Sequence, residues 1–279
     1  MVIAEAVREI QALLASSGIE NASWEAREIV SFCLSTPQSA LPLLYREEMD
    51  KAALQKALQL AGRRAKHYPL QYLLGEWDFY GRRFLVGEGV LIPRQDTELL
   101  CETALTFLKG RPNAKVLDLC SGSGCVAITL KKERPDLKVF ALEKSPEALF
   151  YLQKNLRLHQ AEVEALKGDA FFPPESLMDF DCIVCNPPYL TREDMRRLQP
   201  EVAFEPAAAL YGEEDGLSFY QELPAIYQKR LLPGGGLLFE IGLGQQDAVA
   251  EFLVQAGFVN ICFHKDLCDI IRVVCGFAG

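Results

Sequence analysis

VLDLCSGSG, residues 116–124, decides the fold, because a turn of small residues here joins an apolar run to a helix-forming segment. The apolar run predicts a buried strand, and the chain from Ser123 onward predicts a helix. Gly122 and Gly124 let the backbone approach a ligand closely, which a Cβ atom would obstruct. The turn therefore predicts a ligand site at a strand end, with tight packing alone as the alternative, since dinucleotide enzymes share such turns.

Segments typical of strands and helices alternate on both sides of this turn. Helices are expected from Ser123, Pro146 and Gln245, and two late strands near Val259 and Ile271. The remaining predicted strands are KVLDL, VFALE, EALKG, DCIVC and GLLFEIG. Such alternation predicts an α/β fold with a doubly wound, mainly parallel sheet, whose ligands bind at the carboxyl ends of the strands.

The chain before residue 75 has a helical pattern, in which Ser23 and Asp50 are expected to cap two of the helices. EWDFYGRRFLVGEGVLI, which begins at residue 76, alternates around Gly81 and predicts a β-hairpin. The predicted parts are a small helical bundle over residues 1–75, a β-hairpin linker over 76–95 and an α/β domain over 96–279.

Composition excludes several classes of protein. Apolar residues make up 49% of the 279 and charged residues 24%, which is typical of globular order. The net charge of −9 lies entirely beyond the helical part, which carries eight basic and eight acidic residues. A binder that relies on charge to hold nucleic acid is disfavoured, because such binding needs clustered Lys and Arg.

Glu5 and Glu9 interrupt the apolar stripe at the N-terminus, which contradicts a secretory signal, and no apolar run reaches the length of about 18 residues needed to span a bilayer. The nine cysteines are scattered, as expected of reduced thiols in a cytoplasmic protein. Cys182 and Cys185 form a C-x-x-C inside a predicted strand, without a second pair or a histidine cluster nearby. The sequence therefore predicts no metal site.

Two carboxylates follow the next two strands. Glu143 ends VFALE, 19 residues after Gly124, where a carboxylate can accept both hydroxyls of a ribose. Asp169 follows EALKG, where its side chain can accept the amine of an adenine while the Ala170 amide meets a ring nitrogen. Each is an ordinary surface or turn residue on the simpler interpretation, but together they predict a pocket for adenosine.

Asn186-Pro187-Pro188-Tyr189 directly follows the fourth strand. Two prolines fix φ near −65° and remove two backbone donors, which gives a stiff loop rich in acceptors. The Asn186 side-chain oxygen and the Pro187 carbonyl can each accept one hydrogen of a planar NH₂ group, and Tyr189 can pack against its flat face. The tetrapeptide predicts methyl transfer to an amide nitrogen held in line with a donor, although two prolines could also simply close the strand.

The chain resembles the HemK/PrmC family, the release factor glutamine-N5 methyltransferases, from about residue 69 to the C-terminus. The matching motifs are PLQYLLGEWDFYGRRF, VLIPRQDTELL, VLDLCSGSG, NPPYL, FEPAAAL, GLLFEIG and IIRVV. The resemblance implies a class I methyltransferase sheet whose last strand inserts antiparallel, S-adenosylmethionine as cofactor with S-adenosylhomocysteine as product, and the glutamine of the Gly-Gly-Gln loop of bacterial class I release factors as acceptor.

The resemblance also implies the site residues. Asn186, Pro187 and Tyr189 would be catalytic, and the glutamine would be bound by Asn186, Pro187, Pro188, Tyr189, Phe204 and Glu205. The cofactor would be bound by Asp118, Cys120, Ser121, Gly122, Ser123, Gly124, Glu143, Asp169, Ala170 and Asn186.

The chain departs from the family pattern at several positions. Cys120 stands where the family usually has glycine, and we expect a negative φ there because a positive φ would cost a side-chain residue about 1 kcal/mol or more. Gln95 replaces a proline, and Glu143 replaces the ribose-binding aspartate. None of these changes removes a proposed catalytic group.

Two rival functions are left open. The same tetrapeptide suits an adenine or cytosine amino-methyltransferase, although a duplex-acting enzyme usually needs a basic channel. A non-catalytic adapter, in which the helical bundle binds a partner, is the second rival. The favoured interpretation is a monomeric cytoplasmic enzyme whose helical domain recognises release factors, without direct contact with nucleic acid or membrane.

Overall fold

A computed structural model describes residues 1–279, which form two compact units. The helical unit comprises residues 1–76 and 199–204, and the sheet unit comprises 77–198 and 205–279. Most of the stretch expected as a separate linker therefore groups with the sheet unit. No pattern in the sequence indicates that 199–204 groups with the helical unit. None of the helices combines the length and apolar character that a membrane crossing requires.

The helical unit buries one apolar core among its helices. Asp50 caps a helix as expected, because its carboxylate accepts the amides of Ala52 and Ala53 at 2.9 and 3.1 Å. The expectation for Ser23 is wrong, since its hydroxyl accepts from Arg27 instead and lies inside a helix. The helices are α1 (Ile3–Ser16), α2 (Ala22–Leu34), α3 (Lys51–Arg64) and α4 (Leu70–Leu74), with a 3₁₀ helix at Gln38–Leu44.

Arg64 organises the buried polar centre of the helical unit. Its guanidinium donates to both carboxylate oxygens of Glu25, at 2.5 and 3.0 Å, and to Glu201 at 2.9 Å. His67 lies 2.9 Å from the same Glu201 oxygen. Residues 199–204 are thereby tied to α3 by charge, and loss of one partner would leave a buried charge uncompensated.

The sheet unit contains a hairpin, seven further strands and six further helices. The strands are β1 (Glu76–Phe79), β2 (Arg82–Leu85), β3 (Lys115–Leu119), β4 (Lys138–Glu143), β5 (Val163–Lys167), β6 (Phe180–Cys185), β7 (Leu231–Glu240), β8 (Phe258–Lys265) and β9 (Ile271–Ala278). The helices are α5 (Glu98–Phe107), α6 (Cys125–Glu133), α7 (Pro146–His159), α8 (Arg192–Arg196), α9 (Ser218–Gln228) and α10 (Gln246–Gln255).

The seven-stranded sheet has the order β5-β4-β3-β6-β7-β9-β8. Strands β3 to β7 are parallel, whereas β9 lies antiparallel between β7 and β8. The prediction of a doubly wound sheet with an inserted antiparallel last strand is confirmed. The strand order reverses between β3 and β6, which is where a crevice opens at the carboxyl ends of parallel strands.

Each face of this sheet packs against its own set of helices. Residues of α5 and α6 share one core with the sheet, and residues of α9 and α10 share the other. Cys182 lies in the first core and Cys185 in the second. The two thiols of the C-x-x-C therefore face opposite sides of the sheet and cannot hold one ion together.

Candidate active site

A cavity of about 630 Å³ lies within the sheet unit, at the carboxyl ends of β3, β4, β5 and β6. Its volume is typical of small-molecule and cofactor sites. Of the predicted site residues, its wall contains Asp118, Cys120, Ser121, Gly122, Ser123, Glu143, Asp169, Ala170, Asn186 and Pro188. The wall does not include Gly124, Pro187, Tyr189, Phe204 or Glu205.

The turn after β3 passes three times through left-handed backbone. Cys120 has φ of 55°, Gly122 55° and Gly124 80°. The expectation of a negative φ at Cys120 is wrong, because the chain turns from β3 into α6 within five residues, and the Gly124 amide closes this turn onto the Ser121 carbonyl at 2.8 Å. Left-handed backbone costs an L-residue about 1–2 kcal/mol. The Cys120 thiol contacts that of Cys185 below it.

Gly124 serves packing behind the cavity wall. A Cβ atom there would lie 2.2 Å from the Leu152 Cδ1 of α7, and the positive φ adds strain for any side chain. The glycine is therefore required for α6 to begin against α7. The assignment of Gly124 to cofactor binding stays a prediction.

Glu143, at the end of the neighbouring strand β4, organises the turn after β3. Its two carboxylate oxygens accept the Gly122 amide at 2.8 Å and the Ser145 amide at 2.7 Å. Each carboxylate oxygen has a second lone pair, so the group can still accept the two hydroxyls of a ribose. The same side chain thus shapes the turn after β3 and lines the cavity.

Asp169 follows β5 at the cavity wall and is paired with Lys144 at 2.7 Å. Burial would raise the pKa of Asp169, but the Lys144 ammonium and the Phe171 amide hold it below its usual range. The rings of Phe171 and Phe219 lie 4.7 Å apart at this end of the cavity. A charged acceptor beside apolar rings suits an adenine, whose edge is polar and whose faces are flat.

Asp118 is almost completely buried at the end of β3. Its Oδ2 accepts the Ala127 amide at 3.1 Å, which fixes the first turn of α6. Burial raises the pKa of Asp118 to about 8, and the Ala127 and Ser121 hydrogen bonds only partly oppose it. This residue supports the turn from within as well as lining the cavity.

Asn186 directly follows β6, on the other side of β3 from Glu143. Its Nδ2 donates to the Thr97 hydroxyl at 3.1 Å. This contact fixes the orientation of the side-chain amide, whose carbonyl oxygen Oδ1 is the atom that can accept from a ligand. Thr97 stands in the 3₁₀ turn Gln95–Thr97 before α5, and it also lines the cavity.

The loop after Asn186 is held rigidly from behind. Gln245 donates to the Tyr189 carbonyl at 3.0 Å and accepts the Gly242 amide at 2.9 Å. At Gly216, where φ is 72°, a Cβ atom would lie 2.2 Å from the Tyr189 carbonyl oxygen. The backbone therefore packs too closely at Gly216 for any side chain. Burial raises the pKa of Tyr189 to about 12.

The two residues expected on the acceptor side beyond this loop are absent from the cavity wall, and their role in binding glutamine stays a prediction. The Glu205 carboxylate accepts the Ile92 amide at 2.9 Å and forms an ion pair with Arg94. The Phe204 ring lies 5.2 Å from that of Tyr68 within the helical unit. The next residue in the chain, Pro206, does line the cavity.

Glu240 is a buried carboxyl at the end of β7 that the sequence analysis did not single out. Its Oε2 has no hydrogen-bond partner. Burial raises its pKa to about 7, while the Thr97 hydroxyl acts in the opposite direction. Glu240 thus lies beside Thr97, the residue that orients Asn186.

Thr97, Lys144, Phe171 and Glu240 are residues of this site that sequence reasoning missed. Lys144 and Phe171 directly follow predicted residues, so position after a strand was an available signal for both. Thr97 lies in the motif VLIPRQDTELL, but nothing in that motif indicates contact with Asn186, 89 residues further along the chain. Only the folded sheet brings the two together.

The residues present suit S-adenosylmethionine. Two carboxylates and two aromatic rings lie where an adenosine would be held, and the turn after β3 brings backbone close to the cavity. Asn186 presents an acceptor at the opposite wall. The arrangement can hold an adenosine at one side and a hydrogen-bond donor at the other.

Two family models match the chain. The model described as PrmC N-terminal domain matches residues 5–75, and the model described as Methyltransferase small domain matches residues 95–210. The second match contains the cavity turn, Glu143, Asp169 and Asn186. The two matches cover the helical part and the first half of the sheet unit.

Curated relatives match over nearly the whole chain. A release factor glutamine methyltransferase of Geobacter sulfurreducens is 40% identical over 95% of this chain and 93% of its own length. One from Bordetella pertussis is 37% identical over 95% of this chain and 97% of its own. Among solved structures, a 16S rRNA N2 G1207 methyltransferase of T. thermophilus in complex with AdoMet and guanosine is 20% identical, covers 73% of this chain and 50% of its own, and has a TM-score of 0.53, which supports the fold alone.

The sheet order with its inserted antiparallel strand, and the cavity at the carboxyl ends of β3 to β6, define a class I methyltransferase that uses S-adenosylmethionine. Within that class, identity over nearly the full length of both chains decides the family. The chain belongs to the release factor glutamine methyltransferase family.

Proposed function

We propose that this chain transfers a methyl group from S-adenosylmethionine to the side-chain amide nitrogen of the glutamine in the Gly-Gly-Gln motif of bacterial class I release factors. One observation carries the assignment of the acceptor. The Asn186 amide nitrogen is held by Thr97, so its Oδ1 is available to accept from a carboxamide NH₂. A carboxamide is therefore a methyl acceptor that this arrangement suits.

Bound S-adenosylmethionine would supply a methyl carbon on a sulfonium, a good leaving group. An amide nitrogen is a poor nucleophile because its lone pair is delocalised into the carbonyl. Asn186 Oδ1 and the Pro187 carbonyl would each accept one of its hydrogens and aim the lone pair at the methyl carbon. Both bonds strengthen as positive charge develops on nitrogen, which is how preorganised acceptors lower a barrier.

The bonds balance without a catalytic acid or base. The nitrogen–methyl bond forms as the sulfur–methyl bond breaks, and the amide nitrogen then releases one proton to water. The products are N5-methylglutamine and S-adenosylhomocysteine. The rigid support of the Tyr189 backbone by Gln245 would keep the acceptor loop still during this step.

A nucleic-acid amino-methyltransferase is the less favoured function. The net charge of −9 lies outside the first 75 residues, so the part of the chain that forms the cavity is acidic overall. Phosphate backbones are attracted by clustered basic groups. The relatives that match over 95% of the chain are named for release factors, whereas the rRNA methyltransferase resembles the chain in fold alone.

The helical unit is proposed to contribute recognition of the release factor. Leu43 of its 3₁₀ helix is 83% exposed and is the residue of this unit chosen to test the contact. Intact release factor should therefore be a better substrate than a short peptide with the same Gly-Gly-Gln turn. Leu43→Ser should lower kcat/KM for the intact factor alone, and Val254→Ser, on α10 and 58% exposed, is the matched control.

The function is tested by incubating a purified bacterial release factor with the enzyme and S-adenosylmethionine, then digesting the factor for mass spectrometry. We expect one added methyl group on the Gly-Gly-Gln glutamine, and none when that glutamine is replaced by alanine. Methylation elsewhere on the factor, or none with wild-type enzyme, contradicts the proposal. Equal kcat/KM for peptide and intact factor would reject only the role of the helical unit.

A further inference from the structure

Three potential metal ligands converge on the hairpin formed by β8 and β9, away from the cavity wall. They are Cys262 and His264 of β8 and Cys275 of β9. Their two sulfur atoms and one imidazole nitrogen all lie within 4.8 Å of one another. No described step of the methyl transfer uses any of them.

A β-bulge brings these side chains to one face of the sheet. Val259 pairs with Phe277 and Cys262 with Cys275, so β8 advances by three residues while β9 advances by two. In a regular ladder the side chains of Cys262 and Cys275 would point to opposite faces, because side chains alternate along a strand. The extra residue, at Asn260 with φ of 53°, turns Cys262 toward Cys275.

His264 then follows Cys262 by two residues and points to the same face. Its Nε2 lies 3.6 Å from the Cys262 sulfur. Zinc bonds to thiolate sulfur at about 2.3 Å and to imidazole nitrogen at about 2.0–2.1 Å, so two such ligands on a tetrahedral ion lie roughly 3.6 Å apart. This pair therefore already has the separation that the ion requires.

The three ligands differ in burial, as suits an ion at the sheet surface. Cys275 is buried, whereas Cys262 and His264 are half-buried. Two thiolates would neutralise a divalent ion, which lowers the cost of holding the charges at this depth. A tetrahedral ion takes a fourth ligand, which on the half-buried side of the cluster would be water.

We propose that Cys262, His264 and Cys275 bind one divalent ion of the zinc class, with water completing a tetrahedral site. The ion would link the edge strand β8 to β9 and stabilise that edge of the sheet. Soft sulfur ligands with one imidazole favour zinc over magnesium or calcium. The proposal departs from the sequence expectation of no metal site, and it stands whether or not the proposed methyl transfer is correct.

The test is equilibrium binding of Zn²⁺ to the full chain, purified in a non-thiol reductant, with Co²⁺ as a spectroscopic probe. We expect one ion per chain, a higher Tm with zinc, and the visible bands of tetrahedral cobalt bound to thiolate. Cys262→Ser should weaken binding by at least about 100-fold, since even loss of groups behind a ligand costs 10–100-fold. His264→Gln should weaken it by about 10-fold or more.

Cys268→Ser is the matched control, because this exposed thiol lies in the same hairpin but outside the cluster. It should bind zinc as the wild type does. The proposal is overturned if the wild type binds no stoichiometric zinc, if Cys262→Ser binds it unchanged, or if Cys268→Ser loses it. Spontaneous oxidation of Cys262 and Cys275 to a disulfide that zinc does not prevent would likewise overturn it.

Discussion

The cofactor side and the acceptor side of the cavity are built from different kinds of contact. On the cofactor side, Glu143 accepts two backbone amides directly, at 2.8 and 2.7 Å. Glu143 ends β4, and Asp169 follows β5. On the acceptor side, Asn186 depends on Thr97, a side chain from a distant turn, with the buried Glu240 behind it. The cofactor side therefore depends on one side chain that binds backbone, whereas the acceptor side depends on several side chains in succession.

This difference leads us to expect that binding of the cofactor and turnover can be separated by substitution. Changes on the cofactor side should alter affinity, and changes on the acceptor side should alter rate.

The largest effect is expected for Asn186→Ala. Loss of one preorganised transition-state contact should lower kcat by about 10²–10³-fold, or roughly 3–4 kcal/mol. Affinity for S-adenosylmethionine, measured by calorimetry, should stay within several-fold of wild type. If cofactor binding collapses while kcat at saturation is preserved, Asn186 belongs to the cofactor side and the prediction is wrong.

Glu143→Ala should have the opposite signature. Loss of hydrogen bonds from a charged acceptor should weaken S-adenosylmethionine binding by about 2–3 kcal/mol, or roughly 30- to 150-fold. At saturating cofactor, kcat should change little. Calorimetry and initial rates check both values, and an unchanged Kd with a reduced kcat would remove the distinction between the two sides.

Glu240 should make stability depend on pH. Its pKa is raised by burial from 4.5 to about 7, so the folded protein holds this proton more tightly than the unfolded chain does. The stabilising contribution is complete below about pH 4.5 and is lost as pH rises through about 7, with a total on the order of 3 kcal/mol.

Glu240→Gln should flatten this part of the profile, so that the variant gains stability relative to wild type between pH 5 and pH 8. Denaturant unfolding at both pH values measures the difference. The pKa of Asp118 is also raised, to about 8, so the free energy of unfolding of the variant should still fall somewhat as pH rises. Identical slopes in variant and wild type would show that Glu240 is ionised throughout.

Thr97→Ala tests the side-chain contact that orients Asn186. Removal of one hydroxyl should lower kcat by about 5-fold, or roughly 1 kcal/mol. Thr97→Ser keeps the hydroxyl and should restore most of the rate, which distinguishes orientation from packing. If serine were as slow as alanine, the hydroxyl would not be the group that matters.

Cys120→Gly should have the smallest effect. Glycine removes the cost of left-handed backbone but adds freedom to the unfolded chain, so the free energy of unfolding should rise by no more than about 1 kcal/mol. Cofactor affinity should stay within about 3-fold, or roughly 0.6 kcal/mol. Thermal unfolding and calorimetry check the two expectations, and a large loss of affinity would show that the Cys120 side chain itself contacts the cofactor.

The cofactor side was largely predictable because its groups stand directly after strands. Parallel strands end at one edge, so Glu143 and Asp169 had to come near the turn at Gly122. The position of Asn186 followed in the same way, since β6 lies beside β3.

Other features depend on contacts that no local pattern records. Thr97 meets Asn186 only after α5 packs on the sheet, and the positive φ of Cys120 reflects how tightly the chain turns into α6. Cys262 meets Cys275 because of a single extra residue in β8. The contacts of Phe204 with Tyr68 and of Glu205 with the Ile92 amide also join residues far apart in the chain.

The most direct test is a crystal structure of the enzyme with S-adenosylhomocysteine and a peptide that carries the Gly-Gly-Gln turn. The proposed mechanism predicts that the glutamine NH₂ lies within hydrogen-bond distance of Asn186 Oδ1 and the Pro187 carbonyl, with its nitrogen directed at the sulfur. A glutamine bound elsewhere, or Asn186 still turned away from an ordered carboxamide, would contradict the mechanism.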